Sequence, residues 1–443
     1  DPSLRTARHK GHGFSFITGS TIMSDHSVWR AGAPLFHRFS ASMAAAVILA
    51  IGAGSASAQT FEEIEAKLAD HPSLAALRME SNAREELSTA ERALPDPVLS
   101  FGVSDIPVGN VGFRNDPDSA KTIGASQEIP NPGVRRARSA RERGEASAVT
   151  AQLAYRLALL RAELIGALSE KRSAREQIAF GELQLEKYGQ LQAILRGDIE
   201  AGRPLYYRLP QVDVERADVE RTIVALRSSL AQTDAALIDL VGEAADTAPP
   251  AIALAPWDGG ALALHATRIA DAGVEIAKAG VREGKAAFGP NFGVNFTYMQ
   301  RQDGIGPSGD PFAGDDWFAA GVSVSVPLWA PKSQSPRLRA ARARQSGAEL
   351  SYQAVYRDVT QRLTSLRAEH GAAERNIVVL DQKARALDQT ISALRRNYES
   401  GTGDYAQVLD AEIGKLTLLS QLAAERANAI ASAAKFNSEL VTP

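Results

Sequence analysis

Ile377, Leu380, Ala384, Leu387, Ile391, Leu394 and Tyr398 follow one another at strict intervals of three and four. This is a heptad seam, an apolar stripe along one side of a long helix. The run around it is clean: from Arg337 to Glu399 there is no proline, and Gly347 and Gly371 are its only glycines. It breaks at Gly401-Thr402-Gly403-Asp404, where glycine ends one helix and Asp404 can cap the next. A second seam follows: Leu409, Ile413, Leu416, Ser420, Ala423, Ala427 and Ile430. The chain goes out along one helix, turns tightly and returns along another. At about 1.5 Å per residue the outward helix is roughly 95 Å long, far beyond the ordinary globular helix.

Upstream the period changes. Leu99, Phe101 and Val103 alternate with small or polar residues in a strand over about 97–104, and a second strand covers about 121–129. The loop between them, 105–118, is rich in Gly, Asn, Asp and Pro. A helical hairpin over 134–241 follows, turning near Gly202, with Leu160, Leu164 and Leu168 in its early stripe. Residues 244–259, with three prolines, read as a linker. The plan then repeats. A helix leads into strands at about 291–300 and 317–327, joined by the polar loop 301–316, and a hairpin at 336–441 closes the chain. Pro95 overlays Pro290, Gly124 overlays Gly321, Gly202 overlays Gly401 and Tyr206 overlays Tyr405, at offsets of 195, 197, 199 and 199. Near-constant offsets mark an internal duplication, 59–243 and 260–443. The fold class is mainly α with a small β part, each half being helix, strand, strand and long helical hairpin.

Composition narrows the function. The 443 residues contain no cysteine, so disulfides, thiolate nucleophiles and Cys-ligated metals are excluded. His71, His265 and His370 are the histidines beyond the first 58 residues, and they are widely separated. His370 continues the seam four residues from Leu366, where a buried, hydrogen-bonded histidine is expected rather than a ligand. No nucleophile motif, phosphate loop, cofactor motif or metal spacing is present, which argues against an enzyme. In residues 1–58 a basic region precedes the apolar run Met43–Ile51, and Ala56-Ser57-Ala58 fits a cleavage rule; we read an N-terminal extension and a secretory signal peptide cut after Ala58. The remainder carries 44 Lys and Arg against 50 Asp and Glu, which does not suggest a nucleic-acid partner.

The strands have one apolar, aromatic face and one small, polar face, as lipid-facing barrel strands do. A half-buried soluble sheet alternates in the same way. Four strands cannot close a barrel and an open edge is not tolerated in lipid, so a membrane sheet would have to be shared between copies. Two functions therefore stay open: a channel built from several copies, or a periplasmic coiled-coil adaptor or scaffold without a membrane barrel.

Tyr398-x-x-Gly401, Val408-Leu409-Asp410-Ala411, the run Ala93-Leu94-Pro95-Asp96-Pro97 and the paired strand-to-helix prolines resemble the TolC family of outer-membrane efflux channels. The branch that serves heavy-metal exporters is the most similar, and the likeness spans 59–443. It implies a homotrimeric α-barrel tunnel in the periplasm below a shared 12-strand transmembrane β-barrel in outer-membrane lipid. It further implies docking to a periplasmic adaptor (membrane fusion) protein and a proton-driven inner-membrane pump, with metal cations as a cargo class. On this resemblance the channel constriction comprises Asp410, Gln407 and Tyr398, and the hairpin turns carry Gly202, Gly401 and Gly403. Asp410 falls where members place an acidic ring, and Tyr398 where some use a gating tyrosine. Two positions depart from the family pattern. Gln407 stands where a second acidic ring is found, and Gly403 where a gating arginine is found.

Overall fold

The computed structural model describes residues 60–109 and 111–441. The expected signal peptide lies outside them. Two short helices, α1 (Phe61–Lys67) and α2 (Pro72–Ala90), are separated by a 3-10 turn at Leu68–Asp70, and His71 caps α2 ahead of Pro72. Strands β1 (Val98–Ser104) and β2 (Ala120–Ile129) follow, then α3 (Pro132–Glu200) and α4 (Arg208–Val241). The second half gives α5 (His265–Ala286), β3 (Asn291–Arg301), β4 (Gly304–Ile305), β5 (Pro311–Phe312), β6 (Trp317–Ser325), α6 (Gln334–Glu399) and α7 (Tyr405–Glu439).

Local chemistry sets the boundaries. Helix α3 starts two residues earlier than the sequence suggests, because the Asn131 side chain accepts from Gly133 N (2.7 Å) and Pro132 occupies the first helical position. Helix α6 likewise begins at Gln334, since Pro336 falls in the first turn, where its missing N–H has no partner to lose. Strand β6 ends at Ser325, ahead of Pro327. The loop 301–316 contains a small hairpin, β4–β5, whose Ile305 N–H donates to Arg114 O (3.2 Å), so the two polar loops touch. At about 1.5 Å per residue the 69-residue α3 and 66-residue α6 are each roughly 100 Å long.

The four long strands form one antiparallel sheet in the order β1-β2-β3-β6. The register sorts its faces. Phe101 pairs with Ile123, Ile123 with Tyr298, and Tyr298 with Phe318, so one face is apolar across all four strands. On the other face Ser126 pairs with Asn295 and Asn295 with Gly321. The apolar face is uncovered: Phe101, Phe318 and Val322 are each at least two-thirds exposed. Among the described residues both edges, β1 and β6, are unpaired.

The helices form a second layered array in the same order. Helix α3 has α2 and then α4 along one side and α5 and then α7 along the other, with α6 beyond. Helices α5 and α7 meet end to end, joined by a bridge between Leu264 and Leu440. The expected linker is not loose. Leu254 and Trp257 pack with Leu264, Val359, Leu363 and Phe436, and the Asn437 side chain holds Ala255 N (2.7 Å) and Ala253 O (2.8 Å). At this junction burial pushes the Tyr155 phenol up to about 12 while its hydroxyl donates to Glu439 (2.9 Å). His370 Nδ1 meets Ala429 O at 3.0 Å, which joins α6 to α7.

The two hairpin tips repeat one geometry. In the first, Arg203 N donates to Asp198 O (2.9 Å) around Gly202 at φ +86°. In the second, Thr402 N donates to Asn397 O (2.9 Å) around Gly401 at φ +76°. Both are left-handed C-terminal caps that favour glycine. Gly403 serves a close approach instead, since an added Cβ would stand 2.9 Å from Tyr398 N. Gly401→Ala is expected to destabilise the second tip by about 1 kcal/mol. Amide exchange over residues 397–404 would then rise about five-fold, as read by hydrogen-exchange mass spectrometry.

Candidate functional site at the hairpin tips

Beyond the heptad seams, the tips are held by charge. The apolar core there is Tyr188, Leu191 and Leu195 of α3, Val212 of α4, and Ala406, Leu409 and Ile413 of α7. This packing turns one edge of α7 to the first hairpin. Asp410 stands on that edge, and Arg208 Nη2 reaches its Oδ1 at 2.7 Å. Arg208 Nη1 also contacts Glu215 Oε1 at 3.2 Å. One guanidinium thus joins α4 to α7, and Asp410 is an ion-paired carboxylate. Burial pushes its carboxyl above the ordinary range, and the opposing pull of Arg208 does not offset this.

A second link crosses between the turns. Arg203 Nη1 lies 3.2 Å from Asp198 and 4.0 Å from Asp404. Asp404 caps α7, its Oδ1 accepting from Ala406 N (2.9 Å), the role its sequence position suggests. Glu412, about two turns further along, ties three helices together. It takes Lys187 of α3 at 2.8 Å and a close contact from Arg395 of α6. Burial alone would raise its carboxyl, but the two cations outweigh burial and hold it below the ordinary range.

The residues singled out in the sequence occupy this region unequally. Asp410 joins the ion-pair network. Gln407 is exposed on the first turn of α7. Tyr398, the last member of the seam, is 49% exposed and tilts against Tyr405 with ring centroids 5.0 Å apart. Gly202, Gly401 and Gly403 form the turns themselves. Sequence reading missed Arg208, Arg203, Glu412, Lys187 and Arg395. A signal for Arg208 was present: the 199-residue offset that overlays Tyr206 on Tyr405 also overlays Arg208 on Gln407. Among the described residues no group of three or more His, Asp or Glu is placed to hold a metal ion.

The protomer is a duplicated unit of amphipathic strands and long helical hairpins, tied at its tips by ion pairs. Residues 265–436 match the family described as outer membrane efflux protein. No curated protein matches the chain by sequence. Solved structures share its fold at low identity. CusC is 18% identical, with 86% of this chain and 92% of that chain covered and a TM-score of 0.69. VceC of Vibrio cholerae is also 18% identical, covering 85% and 94% with a TM-score of 0.67. The open state of MtrE from Neisseria gonorrhoeae is 16% identical, covering 85% and 88% with a TM-score of 0.70.

The two carboxylates respond to acid in opposite senses. Glu412 has a lowered folded pKa, so its stabilisation is complete above the unfolded value of about 4.3 and is lost as pH falls through the folded one. Asp410 has a raised folded pKa, so it takes up its proton first and releases Arg208. Amide exchange in the first turns of α7, corrected for intrinsic rate, should stay flat from pH 7 to about 5 and rise below about 4. Glu412→Gln should show the faster exchange already at pH 7, because Lys187 and Arg395 lose their partner at a cost of about 1–2 kcal/mol.

Proposed function

We propose that three copies of this chain form the outer-membrane channel of a tripartite efflux system, a passive exit duct supplied by a periplasmic adaptor and a proton-driven inner-membrane pump. The observation that carries this reading is the sheet. Its apolar face is uncovered and both of its edges are open. Among the described residues no helix is long and apolar enough to cross a membrane. Lipid on the apolar face and copies on the two edges satisfy the sheet together. Since β1 and β6 run in opposite directions, the β6 edge of one copy can take the β1 edge of the next antiparallel. Three copies then give a 12-strand barrel.

The helical layer supports the same operation. Its outer helices, α4 and α6, are the open ends of the array on the same sides as β1 and β6. They expose apolar side chains there, Val214 and Val224 on α4 and Leu350 and Val379 on α6. One rotation would close both layers. A periplasmic scaffold without a barrel leaves the aromatic face of the sheet in water, so we set that reading second. Detergent-solubilised protein should have the mass of three chains, and a stable monomer in detergent-free buffer would overturn the channel reading. An epitope inserted near Gly306 should be reachable on intact cells, because loops 105–118 and 301–316 would then be extracellular.

Six hairpin tips would converge at the periplasmic end, with Asp410, Gln407 and Tyr398 at the constriction. The three Asp410 carboxylates would attract cations, metal cations among them, only as far as the three Arg208 guanidinia leave them unneutralised. Single-channel recording across a planar bilayer tests this. Arg208→Gln should increase cation preference and divalent block, Gln407→Asp should do the same, and Asp410→Asn should reduce both. Unchanged conductance in all three variants would move the constriction elsewhere.

A further inference from the structure

Immediately below the sheet, the first turns of α3 and α6 are dense in arginine. In α3 these side chains divide between two faces. Arg138 meets Glu283 at 2.8 Å, and Arg141 meets Glu142 at 3.1 Å. Arg136 and Arg143 lie on the other face and are exposed; among the described residues neither forms an ion pair, and Arg143 donates to Ser139 Oγ (3.2 Å). Arg339 and Arg342 of α6 are also exposed and form no ion pair among the described residues. An arginine-rich surface without acidic partners is a surface for an anion that is not part of the protomer.

Helical phase fixes which way this surface looks. Arg161 follows Arg143 by 18 residues, five full turns, so the two share one face of α3. Arg161 holds Glu65 of α1 at 2.8 Å, and α1 and the 244–259 segment cover this face. Arg342 precedes Tyr356 by two heptads, and the Tyr356 hydroxyl donates to Gly259 O of that same segment (2.9 Å). Both arginine pairs therefore stand on the side that carries the extra layer. In a closed ring of helices that layer has room only on the outside.

Depth agrees with this placement. Arg136 and Arg339 lie about 6–8 Å below the start of their helices, and Arg342 and Arg143 lie about 12–17 Å below. Both helices start at the sheet, and helical side chains tilt towards the helix N-terminus, so all four reach back towards the membrane. Between β6 and α6, Leu328 and Trp329 are 79% and 74% exposed, an apolar and aromatic pair at the level where such residues mark a membrane interface.

We propose that Arg136, Arg143, Arg339 and Arg342 bind the phosphate headgroups of anionic phospholipids in the periplasmic leaflet, with Trp329 seated at the headgroup boundary. This rests on the barrel reading above. The arginine belt would set the depth and tilt of the channel.

The test uses the trimer reconstituted in bilayers, with Trp29→Phe, Trp257→Phe and Trp317→Phe leaving Trp329 as the reporter. Its fluorescence is quenched by dibrominated phosphatidylglycerol or dibrominated phosphatidylcholine. Phosphatidylglycerol should be preferred about five-fold, the factor one basic side chain gives at an anionic surface. The preference should fall towards unity in R136Q/R143Q/R339Q/R342Q and, in the unsubstituted belt, at high salt. Equal quenching by both lipids, insensitive to salt and to the four substitutions, would overturn the lipid site while leaving the barrel intact. Absence of quenching by either lipid would instead show that Trp329 is not at a membrane, and both readings would fail together.

Discussion

A sheet four strands wide, apolar on one face and unpaired at both edges, is stable neither in water nor in lipid by itself. In water the face that carries Phe101, Phe296 and Phe318 is exposed; in lipid the edge N–H and C=O groups of β1 and β6 have no partner. Everything else in the chain is arranged around that deficit. The duplicated plan makes the strand number even and the edges antiparallel. The long helices carry the open edges onward into a second layer, so that in the proposed trimer one symmetry operation would complete both. Helical propensity alone would not hold 66 or 69 residues in one helix; the seams require neighbours on each side.

The tips show a different balance. There the apolar core thins to small clusters around Leu195 and Leu409, and ion pairs supply the connection between hairpins. Exposed pairs of this kind are individually weak. The exception is Glu412, whose carboxylate is nearly buried and ion-paired with two cations from two other helices. The network concentrates its stabilising term on α3, α6 and α7. It leaves the junction with α4, through Arg208 and Asp410, the easier one to open.

Much of this was legible in the sequence, for reasons that differ by element. The seam from Ile377 to Leu394 is periodic because it packs against α7 of the same chain, so its pattern reports a local contact: Ala384 and Ile391 are buried there, and Tyr398 at its end is not. The strands were readable because a two-residue period with aromatics on one face has few other uses. Helix starts were less so. Asn131 and Pro336 act through single hydrogen bonds, or through the lack of one, which periodicity does not register. The tip network was the least visible, because a salt bridge between residues 202 positions apart leaves no spacing to read. Only the overlay of the two halves puts Arg208 and Gln407 in register and shows that the duplicated position has diverged.

The end-to-end meeting of α5 and α7 at Leu264 and Leu440 has a mechanical consequence. Helix α4 ends at the same level, since Leu237 and Ala434 both pack on the 160–168 stretch of α3. Of the four rods that cross this level, α3 and α6 run through unbroken and the other two are cut. Such an assembly is stiff along its axis, because the continuous rods carry the load. It is compliant in twist, because no continuous helix couples the α4 and α7 ends to the segments above them. Torque applied at the tips would be taken up as rotation below the cut, and the sheet above it would stay still.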